Sequence, residues 1–316
     1  MRILFVLSGN SRETDPAAGT EEVPLKNPVH QGETLRELGH EVDFFFIRGR
    51  GLAGYLRNIP PIRKKIRKGG YDLVHAHYSL TAFAVSLAGR HRMVVSLAGS
   101  DVLGMPGLLP LTRFFCRYRW KKVIVKTEAM KERLRAGDVT VLPNGVDTGL
   151  FFPSDMSEAR KLLDLPDKRI ILFVADPSRA EKNFALAQEA VRLLGRDDTM
   201  LLAAHGIPHV RMPLYYNAAD ALLLTSLWEG SVNSVKEAMA CNLAVVSTDV
   251  GDVRGNVSGL AGYHITSYDA AEIAGKLALV LDSSGKINAR ERLFDLGLDS
   301  ASVAGRLIEI YKSVNS

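Results

Sequence analysis

Residues 221–248, ALLLTSLWEGSVNSVKEAMACNLAVVST, read as a strand, a loop, a helix and a second strand. The runs 221–225 and 243–248 are nearly all apolar, as strands covered on both faces of a parallel sheet should be. Between them Gly230 and Ser231 break the pattern, and a helix follows over about 232–240. IILFVA (170–175) and TMLLAA (199–204) precede this unit, with helical segments at 182–194, 213–219 and 268–282. The first half repeats the order: RILFVL (2–7), VDFFFI (42–47), DLVHAH (72–77), MVVSL (93–97), KVIVK (122–126) and VTVL (139–142), with helices at 30–38 and 127–134. Repeated β–α order predicts an α/β fold of two doubly wound domains, whose ligands belong at the carboxyl ends of the strands in a cleft between the halves.

Pro143-Asn144-Gly145 and the breakers up to Pro153 read as a linker. The expected domains are 1–152 and 153–299. In the tail 300–316, Val303, Leu307, Ile310 and Val314 line one face of an amphipathic helix that can return to the N-terminal domain.

The chain has 316 residues, 47% hydrophobic and 24% charged, enough apolar content for a buried core. No apolar run approaches the roughly 20 residues of a membrane span. The opening MRILFVLSGN is shorter in its apolar part than a signal peptide and reads as a strand, so a cytoplasmic location is expected. Cys116 and Cys241 supply neither a disulfide framework nor a zinc cage. Charge is uneven: residues 1–150 hold 23 Lys and Arg against 14 Asp and Glu, or +9, whereas 151–316 hold 17 against 21, or −4. Much of the excess lies in Arg48 to Lys68 and Arg113 to Arg135. A basic domain suits an anionic membrane surface or a phosphate-bearing substrate, or is simply a solvated face. Nucleic acid is the weakest partner, because no module for it is evident.

Gly49-Arg50-Gly51-Leu52-Ala53-Gly54 matches a dinucleotide-binding pattern, but Pro60-Pro61 interrupts the helix that should receive a pyrophosphate, so a flexible loop is expected. Glu229 lies on the loop leaving a strand, Gly230 admits close backbone approach, and Ser231 is the expected N-cap. The N–H groups of Val232, Asn233 and Ser234 would then face a ligand. On one continuous helix Glu229 and Glu237 would stand about 12 Å apart. With Glu229 on the loop, both carboxylates can accept from one polyhydroxylated ligand. Arg179 and Lys182 follow strand 170–175 and could neutralise a diphosphate. Each feature also has a bland reading, as a capping acid, a solvated acid or a charged first turn.

The segment EGSVNSVKEAMACNLAVVSTDVG resembles the E-x7-E segment of family-four retaining glycosyltransferases of the GT-B fold. VADPSRAEKN, YYNAADALLLTS, LPNGVD followed by Phe152-Pro153, YDLVHAHY and RELGHEV fit the same pattern in the same order. The resemblance implies two Rossmann-like domains and retaining transfer from a nucleotide-diphosphate sugar, held by the C-terminal domain without a metal, to a glycan, lipid-linked or small acceptor on the N-terminal domain. It implies a role in cell-surface polysaccharide or glycolipid synthesis. Glu229 would bind donor-sugar hydroxyls, Glu237 the ribose and Lys182 the diphosphate; the amides of Gly230, Ser231, Val232 and Asn233 would form the cradle. Gly9, His77 and Asp101 would be cleft residues.

Three departures stand out. The family arginine lies where Asp176 and Pro177 stand, so Arg179 is the candidate substitute; Ala98 occupies the place of a histidine; and one strand–helix unit is missing after TMLLAA. His75 and His77 share one strand face, but no third metal ligand is evident. Cys241 reads as a small buried apolar residue. A sugar-nucleotide epimerase and a non-catalytic nucleotide-sugar binder remain as rivals.

Overall fold

A computed structural model describes residues 1–9, 27–49, 51–104, 106–283, 285 and 287–315; Arg50 lies outside them. The chain forms two compact units, Met1–Gly145 with Ser300–Ser316, and Val146–Asp299.

The first unit holds β1 (Arg2–Ser8), β2 (Glu41–Ile47), β3 (Leu73–His77), β4 (Met93–Ser96), β5 (Lys122–Val125) and β6 (Val139–Val141). All pair in parallel, in the order β2-β1-β3-β4-β5-β6. Alternate side chains go to opposite faces. Leu4, Val6, Val74, Val95 and Val123 meet helices α2 (Gly51–Gly69), α3 (Ser79–Leu87), α4 (Leu109–Tyr118) and α5 (Glu128–Leu134). Ile3, Phe5, Leu73, Val94 and Ile124 meet α1 (Asn27–Glu37) and the C-terminal helix Ser300–Asn315, which buries Val303, Leu307, Tyr311 and Val314. With both faces covered, continuous apolar strands are required.

The flexible loop expected at 49–54 is instead the start of a helix that runs through Pro60 and Pro61. Each proline removes a donor and crowds the preceding turn. Both lie on the exposed side, while Gly54, Tyr55, Asn58 and Ile62 are buried opposite. The Asn58 amide donates to the carbonyls of Arg48 at 2.8 Å and Gly54 at 2.7 Å. A Cβ on Gly54 would stand 2.7 Å from the Gly49 carbonyl carbon. These glycines therefore serve close packing of the helix start.

The second unit holds β7 (Arg169–Phe173), β8 (Thr199–Ala203), β9 (Ala221–Leu224), β10 (Ala244–Thr248) and β11 (Tyr263–Thr266). They too are all parallel, in the order β11-β10-β9-β7-β8. Its helices are α6 (Met156–Leu162), α7 (Phe184–Leu194), α8 (Met212–Ala218), α9 (Asn233–Ala240), α10 (Val253–Val257), α11 (Ala270–Leu281) and α12 (Ala289–Asp295). The short strand β11 escaped the sequence reading, since Gly259 and Gly262 mask it as a turn region.

The units divide at Val146, earlier than the expected boundary after residue 152. Phe151 is fully buried in the second core, with its ring 5.7 Å from Tyr216. Arg290 donates to the carbonyls of Phe151 at 2.6 Å and Thr148 at 2.8 Å. The supposed linker is thus packed from Val146 onward.

Counted from its own first strand, each sheet begins in the order 2-1-3. Chain direction across the sheet therefore reverses between β1 and β3, and again between β7 and β9. Such reversals leave a crevice outside the strand ends, where α/β sheets hold ligands.

Candidate active site

At the reversal in the second unit, the loops leaving β7 and β9 are fastened together. The Thr225 hydroxyl donates to the carbonyls of Lys182 and Asn183, each at 3.0 Å, and the Leu227 amide to Glu181 at 2.8 Å. Lys182 ends a 3-10 turn, Ala180–Lys182, and its ammonium donates to Glu229 Oε1. The Ser226 hydroxyl reaches the same oxygen at 2.9 Å. Lys182 and Glu229 side chains are 15% and 17% exposed, desolvated yet within reach of a ligand.

The Glu229 loop is held from below. Thr248 donates to the Ser226 carbonyl at 2.8 Å and Tyr268 to that of Leu227 at 3.1 Å. Gly251, at φ +60°, passes so close that a Cβ there would stand 2.4 Å from the Gly230 carbonyl oxygen.

Helix α9 begins at Asn233 with Val232 as its N-cap, so Ser231 does not have the capping role expected of it. Asp252 takes over. Its carboxylate accepts from the Ser231 hydroxyl at 2.6 Å and from the Val232 amide at 2.9 Å. The Val232 N–H is therefore engaged, and amides without an intrahelical partner start no earlier than Asn233. Beneath it, fully buried Lys236 donates to Ser231 Oγ at 2.8 Å. Burial lowers the Lys236 pKa, against the pull of Asp252 and Glu237.

Glu237 is buried, with Oε1 bonded to His209 Nε2 at 3.0 Å and Oε2 accepting from the Tyr216 hydroxyl at 2.7 Å. Burial and then the Glu237 charge push the Tyr216 pKa well up. For His209 burial acts downward, but the hydrogen bond and charge of Glu237, aided by Asp147, outweigh it and raise the pKa.

Arg179 does not join Lys182. It is exposed and turns to Glu181 Oε1, with Nε at 2.9 Å. An acid two residues away in the same turn offers a nearer partner than the Glu229 loop.

In the first unit, Asp101 is fully buried and capped into the fold. It accepts from the Ser79 amide at 2.9 Å, the Ser79 hydroxyl at 2.6 Å and the Ala98 amide at 2.7 Å. Burial pushes its pKa up to about 6 despite these bonds. It anchors the start of α3 after Tyr78, which sits at φ +84°, and its oxygens are not presented as the surface of a ligand site. The Gly9 amide donates to Ile47 at 3.0 Å, and a Cβ would stand 2.3 Å from that carbonyl oxygen. Both ring nitrogens of His75 are engaged, by Tyr311 at 2.6 Å and Ser96 at 2.8 Å. The neighbouring His77 is buried with Nε2 unpartnered; burial and then the Lys126 charge lower its pKa to about 3, so the ring is neutral. Among the described residues no three His, Cys, Asp or Glu side chains gather as metal ligands.

Against known families, the model of glycosyltransferase family 4 matches residues 26–150, and that of glycosyl transferases group 1 matches residues 205–283. Together they cover more than half of the chain. The chain belongs to the family-four glycosyltransferases. Among curated relatives, TuaC of Bacillus subtilis, a glycosyltransferase assigned to teichuronic acid synthesis, is 29% identical over 222 residues, 61% of this chain and 56% of TuaC. D-inositol 3-phosphate glycosyltransferase 1 of Catenulispora acidiphila is 25% identical over 309 residues, 78% of this chain and 73% of the relative. The chain thus spans little more than half the length of TuaC.

Solved structures show the GT-B fold. Sucrose-phosphate synthase from Thermosynechococcus elongatus superposes with a TM-score of 0.81 at 18% identity, covering 99% of both chains. Anabaena HepE, solved with UDP and glucose, superposes with a TM-score of 0.75 at 18% identity, covering 99% of this chain and all of the other.

His209, Tyr216, Lys236, Gly251 and Asp252 hold the candidate residues in place without being singled out by the sequence. Tyr216 lay inside the quoted YYNAAD segment, and Lys236 inside the E-x7-E segment itself. Gly251 closed that same segment, whereas His209 and Asp252 carried no signal, because each acts through a contact distant in sequence.

Proposed function

We propose that the chain transfers a sugar with retention from a nucleoside-diphosphate sugar to a glycan, lipid-linked or small acceptor, in polysaccharide or glycolipid synthesis. The observation that carries this reading is the Lys182–Glu229 pair at the β7/β9 reversal, beside the start of α9. The donor's diphosphate lies against Lys182 and the Asn233 and Ser234 amides, where helix geometry leaves N–H groups without intrahelical partners. Lys182 exchanges Glu229 for phosphate oxygen, releasing the carboxylate to accept from sugar hydroxyls beside the reacting carbon. Glu237, oriented by His209 and Tyr216, accepts from the ribose. As the bond to the nucleotide breaks, negative charge grows on the diphosphate, and a preorganised cation there lowers the barrier. The reaction proceeds without a bound metal, and the first unit presents the acceptor.

HepE has been solved with UDP and glucose, which makes UDP-sugars the first donors to try. Thermal shift against UDP-, GDP- and ADP-sugars names the base, and release of nucleoside diphosphate with an acceptor panel tests transfer. Stabilisation by a nucleotide sugar without turnover across the panel would favour a non-catalytic binder, a reading that the Arg179–Glu181 pairing supports. No stabilisation by any of the three would overturn the donor assignment.

A further inference from the structure

The stretch of chain that carries α2, α3 and α4 has a composition that sugar transfer does not use. From Phe44 to Thr127 the chain has sixteen Lys and Arg but only two acids, Asp72 and Asp101. Asp101 is fully buried, which leaves the exposed Asp72, an acceptor for the Arg2 amide at 2.7 Å, as the one surface acid of that stretch.

Helix α4 buries Leu109, Thr112 and Cys116. On its other side Leu111, Phe114 and Tyr118 are 45%, 53% and 64% exposed. Their spacing of three and then four puts them on one outward stripe. The Phe114 and Tyr118 rings lie 5.1 Å apart, and the Arg117 guanidinium stands 5.8 Å from the Tyr118 ring centre. Helix α2 adds exposed Leu52 and Leu56 near its start and Arg63, Lys64, Arg67 and Lys68 near its end. Arg63 ties α2 to the end of α3, donating to Ala88 at 2.9 Å and Leu87 at 3.0 Å, and Trp120 ties α3 to the α4 end through Ser86 at 3.0 Å. The stripe and the cations therefore belong to one packed layer.

A basic face alone is ordinary solvated surface, and exposed apolar side chains alone are scattered on most proteins. Outward aromatic and leucine side chains set among cations, on a layer with almost no acid, match the boundary of an anionic bilayer. Aromatic rings sit at headgroup depth there, and lysine and arginine meet lipid phosphate. A nucleic acid would take up the cations but leave the leucines in water.

We propose that the α2–α4 face of the first unit docks on an anionic lipid bilayer. The surface lies outside the nucleotide-binding residues, so the inference stands or falls separately from the transfer reaction. The test is sedimentation of the full chain with vesicles of phosphatidylglycerol and phosphatidylcholine, and with phosphatidylcholine alone. The chain pellets with the mixed vesicles at low salt and is released as salt screens the charge. Phe114→Ser with Tyr118→Ser, and separately Lys64→Glu with Lys68→Glu, each weaken partition at least about fivefold. Melting temperature and nucleotide-induced stabilisation, measured on the same variants, stay unchanged. Equal pelleting with neutral vesicles, or no response to either pair of substitutions, overturns the proposal. So does duplex DNA or RNA that strips the chain from vesicles at equal charge.

Discussion

His209 and Glu237 meet at 3.0 Å although they leave different elements, the histidine from a 3-10 turn ahead of α8 and the acid from the middle of α9. The contact joins the short segment between β8 and α8 to the acid proposed for the ribose. It also has a measurable sign. A histidine whose folded pKa is raised binds its proton more tightly in the native state. Its stabilising contribution is complete below the unfolded value near 6.5 and is lost as pH rises through the folded value. Thermal melts of wild type and His209→Gln should therefore differ most near pH 6 and converge near pH 9. Curves parallel across that range would remove the pair from the stability of the unit.

Lys182→Ala removes one charge-assisted hydrogen bond to the leaving diphosphate, worth about 1.5–3 kcal/mol. Turnover at saturating acceptor should fall about tenfold to a hundredfold. Unchanged donor turnover would take Lys182 out of the site.

The two acids should separate by function. Glu229→Ala is expected to impair transfer more than nucleotide binding, and Glu237→Ala chiefly to weaken binding of the free nucleotide. Calorimetric titration of both variants with nucleoside diphosphate checks this, and identical affinities would sink the division of roles.

Lys236 and Asp252 should respond unequally. Removing one member of a buried ionic cluster strands the charges it faced. Lys236→Met leaves the Asp252 and Glu237 carboxylates without their buried cation and should cost about 3–5 kcal/mol. Asp252→Ala deprives the Val232 amide and the Ser231 hydroxyl and should cost about 1–3 kcal/mol. Denaturant titration of the two variants decides, and a reversed order would mean that the aspartate, not the lysine, holds the α9 entrance.

Gly251→Ala tests the packing of the Glu229 loop. The residue sits at φ +60° with the Gly230 carbonyl in the way, so the loop must move. Strain of about 1–3 kcal/mol is expected, with weakened stabilisation by nucleotide sugar. A variant that melts and binds like wild type would show that the loop tolerates displacement.

Much of the fold was legible because a buried parallel sheet leaves its mark locally. The strands from Arg2–Ser8 to Ala244–Thr248 are apolar runs long enough to stand out, and the order of runs and helices admits few topologies. The failures have equally local causes. Pro60-Pro61 argued for a break, and only the buried face of Tyr55 and Ile62 across from it keeps the helix whole. Pro143–Pro153 argued for a linker, and only Phe151 and Arg290 make its latter part a piece of the second core.

The sequence by itself determined the α/β class, the series of strands, and the two acids and the lysine of the candidate site, since periodicity and spacing are properties of neighbours along the chain. Tertiary structure alone decided which partners those groups keep. Lys182 turns to Glu229 while Arg179 turns to Glu181, Asp252 rather than Ser231 caps the entrance to α9, and Asp101 anchors the start of α3 through Ser79. A charged side chain settles on whichever opposite charge or open donor the folded backbone brings within about 3 Å, and that distance is set by residues tens of positions away.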